Sequence, residues 1–392
     1  MHQSPAGQTQ PGHHTPLLHV LHIASGDLWA GAEVQLYTLA KALHRFRDIR
    51  VSVVLLNSGT LQDRLDAQGI PVTVLDESRL NGMEILARLV RLIRDQQPDI
   101  VHTHRMKENV LGTIAAWRAG HIPTIRTAHG ACEHSPPWWK PHKRLPYALD
   151  WLCGRYLQHR IVAVSKDLAA ILGRQFPPAK IVTIANGIDI DEVIGASTPH
   201  LPLEPAGPGI LRVGLIGRLV PVKRVDLFIE TAKYIKERHP GLDVHFHIFG
   251  DGPLRAELEA LSQACGTTDR VFFQGRRDDL LKVMPALDIV MMPSDHEGLP
   301  MTLLEAMTLK VCIVAHAAGG IPELLENGRC GVLVTEHTPA GYAKHLHRLA
   351  IDCSRKICFV ENALLHVGRN YSSITAADHY VSLYRDASLN SQ

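Results

Sequence analysis

The sequence predicts an α/β protein built from two doubly wound domains of similar size that face each other across a cleft. Three observations carry this expectation. The 392 residues exceed the roughly 250 to 300 at which one hydrophobic core stops growing. Short Val/Ile/Leu-rich runs alternate with helix-period segments along nearly the whole chain, the pattern of parallel sheets covered on both faces. The alternation breaks at 197–209, STPHLPLEPAGPG, where four Pro and two Gly in thirteen positions leave no apolar periodicity and read as a linker.

In chain order, residues 1–16 hold almost nothing to bury and read as a disordered tail. From Leu17 the runs LLHVLHIA, VSVVLL, VTVLD, DIVHTH, TIRTAHG, RIVAVS and KIVTIANG read as strands, with GAEVQLYTLAKALHRF, LQDRLDAQG, MEILARLVRLIRDQ and KDLAAILGRQF as helices between them. They define a first domain at 17–196. Beyond the linker, ILRVGLIG, DVHFHIFG, RVFFQG, DIVMMPS, VCIVAH and GVLV alternate with VDLFIETAKYIKERH, PLRAELEALSQAC, DDLLKVMPAL, MTLLEAMTL and IPELLEN, defining a second domain at 210–372. Ligand groups belong at the carboxyl ends of such strands. Segment 138–157, WWKPHKRLPYALDWLCGRYL, sets Leu145, Leu149, Leu152 and Tyr156 at helical spacing behind a basic, Trp-rich start. It is expected to pack on the first domain, with a membrane-surface contact as the other reading.

Composition narrows the function classes. With 45% hydrophobic and 20% charged residues the chain is globular in type. The balance of 41 basic against 39 acidic side chains, formally +2, excludes a generalised attraction to nucleic acid or anionic lipid. Seven cysteines, odd in number and without a CxxC pair, fit reduced thiols in a cytoplasmic protein. There is no apolar stretch of about 18 residues and no signal-like start. A cytoplasmic protein is expected, peripheral contact with the inner face of a membrane remaining open.

The strongest motif is SDHEGLPMTLLEAM at 294–307. Glu297 falls in the loop beyond a strand and Glu305 one turn into the next helix, so both carboxylates can face one ligand at different depths. A carboxylate accepts hydrogen bonds from sugar hydroxyls, and Gly298 lets backbone amides approach a phosphate. Thr302 and Glu305 also fit a capping box, and Glu297 a solvated loop acid. The second motif, GLIGRLVPVKR at 214–224, brings Arg218 and Lys223 past the Gly217 turn, where two cations suit a diphosphate leaving group. Gly250 and Asp251 end another strand in FGDGP, AGGIPE at 318–323 repeats the construction, and Gly31 and Glu33 open the first helix in WAGAE; each alone is a weak Gly-turn signal. His102, His104 and His129 all end strands near the cleft. A three-histidine metal site lacks any HExxH or Cys-rich companion, so no metal is expected.

In the order AGAE (30–33), HTH (102–104), TAHG (127–130), AVSK (163–166), ANGID (185–189), GRLVPVK (217–223), GDGP (250–253), the Glu297 and Glu305 pair, and GGIPE (319–323), the chain resembles the family-4 retaining glycosyltransferases of GT-B fold, the glycosyl transferases group 1. The resemblance runs from about Leu17 to the C terminus. It implies Rossmann-like domains, the first on the acceptor side, the second binding a nucleotide sugar, with a helix at 373–392 returning to the first. By that resemblance Arg218 and Lys223 bind the donor diphosphate, Glu305 the ribose, and Glu297 and His129 the transferred sugar, His129 among the catalytic groups. Gly31, Gly217, Gly250, Asp251, Gly298 and Leu299 line the donor side; His102, His104 and Glu33 lie on the acceptor side. Ala30–Gly31 stands where many members have Gly-Gly, and Gly298–Leu299–Pro300 where many have Gly-Phe-Gly, so donor identity does not carry over. The implied reaction moves a hexose to a hydroxyl of a glycan or lipid-linked acceptor in surface polysaccharide synthesis, with no cofactor and no obligatory metal. A sugar-nucleotide epimerase or phosphorylase of the same fold, or a non-catalytic nucleotide-binding protein, are the alternatives.

Overall fold

The computed structural model describes residues 17–27, 29–130, 141–203 and 209–389. The expected tail at 1–16, the tryptophans 138 and 139 and part of the linker lie outside the described residues. The first half is a seven-stranded parallel sheet of β1 (Leu18–Ala24), β2 (Ile49–Leu55), β3 (Val72–Val74), β4 (Ile100–Thr103), β5 (Thr124–Ala128), β6 (Arg160–Ala163) and β7 (Ile181–Thr183), in spatial order 3-2-1-4-5-6-7. The second is a six-stranded parallel sheet of β8 (Leu211–Ile216), β9 (Val244–Phe249), β10 (Val271–Gly275), β11 (Ile289–Met292), β12 (Cys312–His316) and β13 (Val332–Val334), in order 10-9-8-11-12-13. In each sheet the order reverses beside the first strand, and the crevice at such a switch point is where doubly wound folds hold ligands.

The continuous apolar runs form strands because both faces are covered: Val20, Leu21 and Ile23 of β1 are fully buried, as are Ile289, Val290 and Met291 of β11. The intervening helices bury one stripe each. Gly82–Gln96 starts at a capping box in which the Asn81 side chain accepts from the Glu84 amide and the Glu84 carboxylate accepts from the Asn81 amide, satisfying two otherwise orphaned donors.

The chain crosses between the halves twice. In the first crossing the linker is not all loose: the Leu201 amide donates to the Lys282 carbonyl at 2.9 Å, and Leu203 is buried in an apolar cluster shared by both halves. In the second, the Ile188 amide donates to the Tyr371 carbonyl and the Ser373 amide to the Ile188 carbonyl. Helix Ser373–Leu389 then packs on helix Gly31–His44, with Tyr380 and Tyr384 fully buried in the first-half core.

Helix Pro141–Leu152 and the π-helical turn Cys153–Leu157 pack on the first half as expected, against helix Met106–Gly120, but not through the apolar stripe, of which only Leu149 is half-buried. Leu145 is 61% exposed, Leu152 44% and Tyr156 66%, whereas Cys153 is buried. The inward side belongs to Asp150, which accepts from Arg126 at 2.9 Å and from Asn109 at 3.2 Å, and to Gly154, so close to the Phe176 ring that a Cβ would sit 2.5 Å from it. Among the described residues no helix is long and apolar enough to cross a membrane.

Candidate active site

The site begins where β8 ends. After Ile216 the chain turns through Gly217 and a 3-10 turn at Pro221–Lys223, and Arg224 takes a left-handed conformation (φ 49°) before helix Val225–Arg238. The Lys223 stem runs past Gly217, where an added Cβ would meet Lys223 Cε at 3.5 Å, and its ammonium reaches Glu297 Oε1 at 2.6 Å. Both side chains are largely buried, 22% and 12% exposed, so the pair joins the loop after β8 to the loop after β11 in a partly desolvated place. Arg218 beside it is exposed and has no ion pair among the described residues.

Glycines let backbone crowd this spot. At Gly298 a Cβ would stand 2.0 Å from the carbonyl oxygen of His129 in the other half; at Gly320 it would stand 1.9 Å from the Gly298 carbonyl oxygen. The Gly320 amide donates to the Glu297 carbonyl at 3.0 Å, fixing the loop that carries the carboxylate. Gly250 (φ +139°) approaches the Gly217 carbonyl in the same way, and Asp251 beside it is exposed and accepts from the Gly252 amide. Gly31 opens its helix with free space around it.

Helix Met301–Thr308 is capped by Pro300 with no side-chain bond, so the capping-box reading of Thr302 and Glu305 fails and the Glu305 carboxyl makes no such bond. Desolvation pushes that carboxyl up to about 7. The Leu299 side chain turns into the core, and its carbonyl accepts from Asn186 Nδ2 of the first half at 2.9 Å; its share in any pocket is therefore backbone alone. A second bridge across the cleft runs from Lys166, whose amide donates to Glu323 Oε2 at 3.0 Å and whose ammonium lies 3.2 Å from Oε1.

On the first-half side, His129 stacks on His104 at 5.7 Å between ring centroids, and His104 stacks on His102 at 4.4 Å. Burial holds the His129 imidazole at about 4, so it is neutral, and its buried Nε2 has no partner. The structure places His102 and His104 behind His129 rather than on the cleft surface. His102 is held by the Tyr384 hydroxyl at 2.7 Å and Thr127 Oγ1 at 2.8 Å; His104 Nε2 lies 3.1 Å from His22 Nδ1. Glu33 is buried too, paired with Arg105 at 2.5 Å.

Arg105 is the residue that motif reading passed over. It caps the helix following HTH, and its position next to that motif was the available signal. The other omission is a cluster beside Lys223, in which Arg224 Nη1 lies 3.2 Å from Asp295 Oδ1 and His337 Nε2 3.1 Å from the same oxygen, with the His337 ring stacked on His316 at 3.7 Å. Its members come from three separate loops and the end of β12, which no local spacing reveals.

Two facing doubly wound domains with a cation and a carboxylate joined at the switch point define a protein of GT-B fold. Residues 29–192 match the family model described as Glycosyltransferase Family 4 and residues 211–352 the model described as Glycosyl transferases group 1, and the chain belongs to this family of glycosyltransferases. The UDP-Gal:alpha-D-GlcNAc-diphosphoundecaprenol alpha-1,3-galactosyltransferase of Escherichia coli is 28% identical over 354 residues, 87% of this chain and 90% of that protein. A D-inositol 3-phosphate glycosyltransferase of Salinispora tropica is 28% identical over 312 residues, 74% of this chain and 64% of that protein. Among solved structures, Anabaena Alr3699/HepE in complex with UDP-glucose shares the fold at a TM-score of 0.77 and 22% identity, covering 94% of this chain and 100% of that one.

Proposed function

We propose that the protein moves a hexose from a nucleotide-diphosphate sugar, with UDP-hexoses the first donors to test, to a hydroxyl of a glycan or lipid-linked acceptor, retaining the anomeric configuration, in the synthesis of a surface polysaccharide. The observation that carries this reading is the Lys223–Glu297 pair at 2.6 Å: an ammonium suited to a departing diphosphate and a carboxylate suited to sugar hydroxyls meet at one point between the halves. The E. coli relative named for a UDP-galactose donor and a diphosphoundecaprenol-linked acceptor, and the HepE complex with UDP-glucose, support the donor class and the acceptor class.

In this reading the second domain, 210–372, holds the donor. Lys223 and the exposed Arg218 oppose the charge that builds on the diphosphate as its bond to the sugar breaks. Glu305, with its carboxyl pushed up to about 7, is able to donate to or accept from the ribose hydroxyls. Glu297 and the unpartnered His129 Nε2 fix the sugar. The acceptor oxygen forms its bond to the anomeric carbon on the face the diphosphate leaves, and the acceptor proton passes to a diphosphate oxygen, so no dedicated protein base is needed. The first domain, 17–196, with helix Ser373–Leu389, presents the acceptor through the Gly31 and Arg105 region, and charge is handled without a divalent metal.

The outward stripe of Leu145, Trp151, Leu152, Tyr156 and Leu157, each at least 40% exposed, supports peripheral contact with a membrane that carries a lipid-linked acceptor. Thermal-shift screening against UDP-, GDP- and ADP-sugars, then transfer to a prenyl-diphosphate sugar with the product anomer read by NMR, tests the whole reading. A UDP-hexose is expected to raise Tm and to be consumed only when acceptor is present. Turnover without acceptor, an inverted product, or activity lost in EDTA and restored only by Mg²⁺ or Mn²⁺ would each overturn the corresponding part.

A further inference from the structure

A second group of chemistry-bearing side chains lies outside the Lys223–Glu297 site. The turn after helix Ile321–Leu324 carries Glu326 and, just ahead of β13, Cys330; helix Cys353–Asn370 packs against it and contributes His366. Glu326 Oε2 is 3.8 Å from Cys330 Sγ and 3.9 Å from His366 Nδ1, and the three ligand atoms all lie within 4.8 Å of one another. Around a tetrahedral ion with bonds of about 2.3 Å to sulfur and about 2.0 Å to nitrogen or oxygen, ligand atoms stand roughly 3.3 to 3.6 Å apart. Small rotamer adjustments close the difference.

The surroundings suit a cation. Arg329 Nη1 holds the other Glu326 oxygen at 3.0 Å, which turns Oε2 toward the sulfur and the imidazole. Cys330 is 1% exposed, and His366 keeps one ring nitrogen, Nε2, buried without a partner. Its Nδ1 also takes the exposed Asn370 amide at 3.0 Å, a contact that a bound ion would displace. Burial pushes the Cys330 thiol up to about 11 and holds the His366 imidazole below its ordinary value, so the free protein has a protonated thiol and a neutral ring. Thiolate plus carboxylate balance one divalent charge, the thiol proton leaving to solvent as the metal–sulfur bond forms. The other histidine group, His22, His102 and His104, offers no anionic ligand, and both nitrogens of its His102 are already bonded.

We propose that Glu326, Cys330 and His366 form a site for a thiolate-accepting divalent ion of the zinc type, with three protein ligands and a fourth position open to water. The site fastens two places where the halves meet. Glu323 on the preceding turn reaches Lys166, and Tyr371, whose carbonyl bonds Ile188, packs edge-on against His366 at 5.4 Å. The proposal is independent of the sugar-transfer reading.

Cobalt(II) titrated into the whole chain, in buffer free of added thiol reagents, is expected to give a thiolate-to-cobalt charge-transfer band that zinc abolishes, and zinc is expected to raise Tm. Cys330→Ser should remove the band and the Tm shift. Glu326→Gln and His366→Gln should each weaken binding by more than the roughly tenfold to hundredfold that loss of an outer-shell partner costs. The double variant Cys353→Ser/Cys358→Ser, on exposed thiols of the same helix, should leave both readouts intact. Cys330→Ala replaces the serine variant if the buried hydroxyl prevents folding. A wild-type protein without the band, or a band that survives at position 330 or disappears with 353 and 358, overturns the site.

Discussion

Replacing Lys223 separates a structural ion pair from a catalytic one. At 2.6 Å and an effective dielectric near 20, the gross attraction to Glu297 is about 6 kcal/mol. Desolvation of both groups and screening at 22% and 12% exposure reduce the net value to about 1 to 3 kcal/mol. Lys223→Met should therefore lower Tm by several degrees, since in a protein of this size each kcal/mol is worth about 2 to 4 °C or less. The effect on turnover should be far larger. Loss of a preorganised cation aimed at developing charge costs about 10²- to 10³-fold in kcat. Initial rates across donor concentrations on variants shown to be folded measure it, together with the double variant Lys223→Met/Glu297→Gln. A purely structural pair would let the double variant regain both stability and rate. The catalytic assignment requires stability to recover while kcat/KM stays at least a hundredfold down. A folded Lys223→Met enzyme within threefold of wild type would refute the reasoning.

Three further outcomes follow from the geometry. Gly298→Ala puts a Cβ 2.0 Å from the His129 carbonyl oxygen, so the halves must separate; an increased radius of gyration in small-angle scattering and a kcat loss of about 10²-fold are expected, and an unchanged radius would contradict the contact. Glu305 has its folded-state carboxyl raised from 4.5 to about 7, so the folded protein binds more protons than the unfolded chain between those values and wild-type stability falls as pH rises through them. Glu305→Gln removes that slope, and its Tm relative to wild type should rise from pH 5 to pH 8 by the equivalent of at most about 3 kcal/mol, while nucleotide affinity falls. Tyr384→Phe deletes the hydroxyl bonded to His102 at 2.7 Å and should cost about 1 to 2 kcal/mol in urea denaturation.

The sheets were legible because parallel strands buried on both faces must be apolar throughout, and runs such as VSVVLL and DIVMMPS have no other comfortable home. The meeting of Lys223 with Glu297 was not, since it depends on β8 and β11 being neighbours. Strand order likewise hides His22: only when β1 pairs with β4, His22 opposite His102, does it join the other histidines. Periodicity marked a stripe at Leu145, Leu149, Leu152 and Tyr156 but not which way it faced. That was decided by the Arg126–Asp150 pair, whose cation comes from β5. A Thr-x-x-Glu spacing at 302–305 looked like a cap because the pattern ignores Pro300, which already occupies the cap position ahead of Met301.

The return of helix Ser373–Leu389 to the first sheet has a consequence for biosynthesis. Tyr380 and Tyr384, which fill the first core and hold Thr127 and His102, are translated after every strand of the second sheet. The first half therefore leaves the ribosome with an open core and waits for its keystone, while the second half already has all its strands. A nonsense codon near residue 372 would spare the second-half fold and leave the first half without its closing helix, with the damage appearing far in sequence from the missing residues.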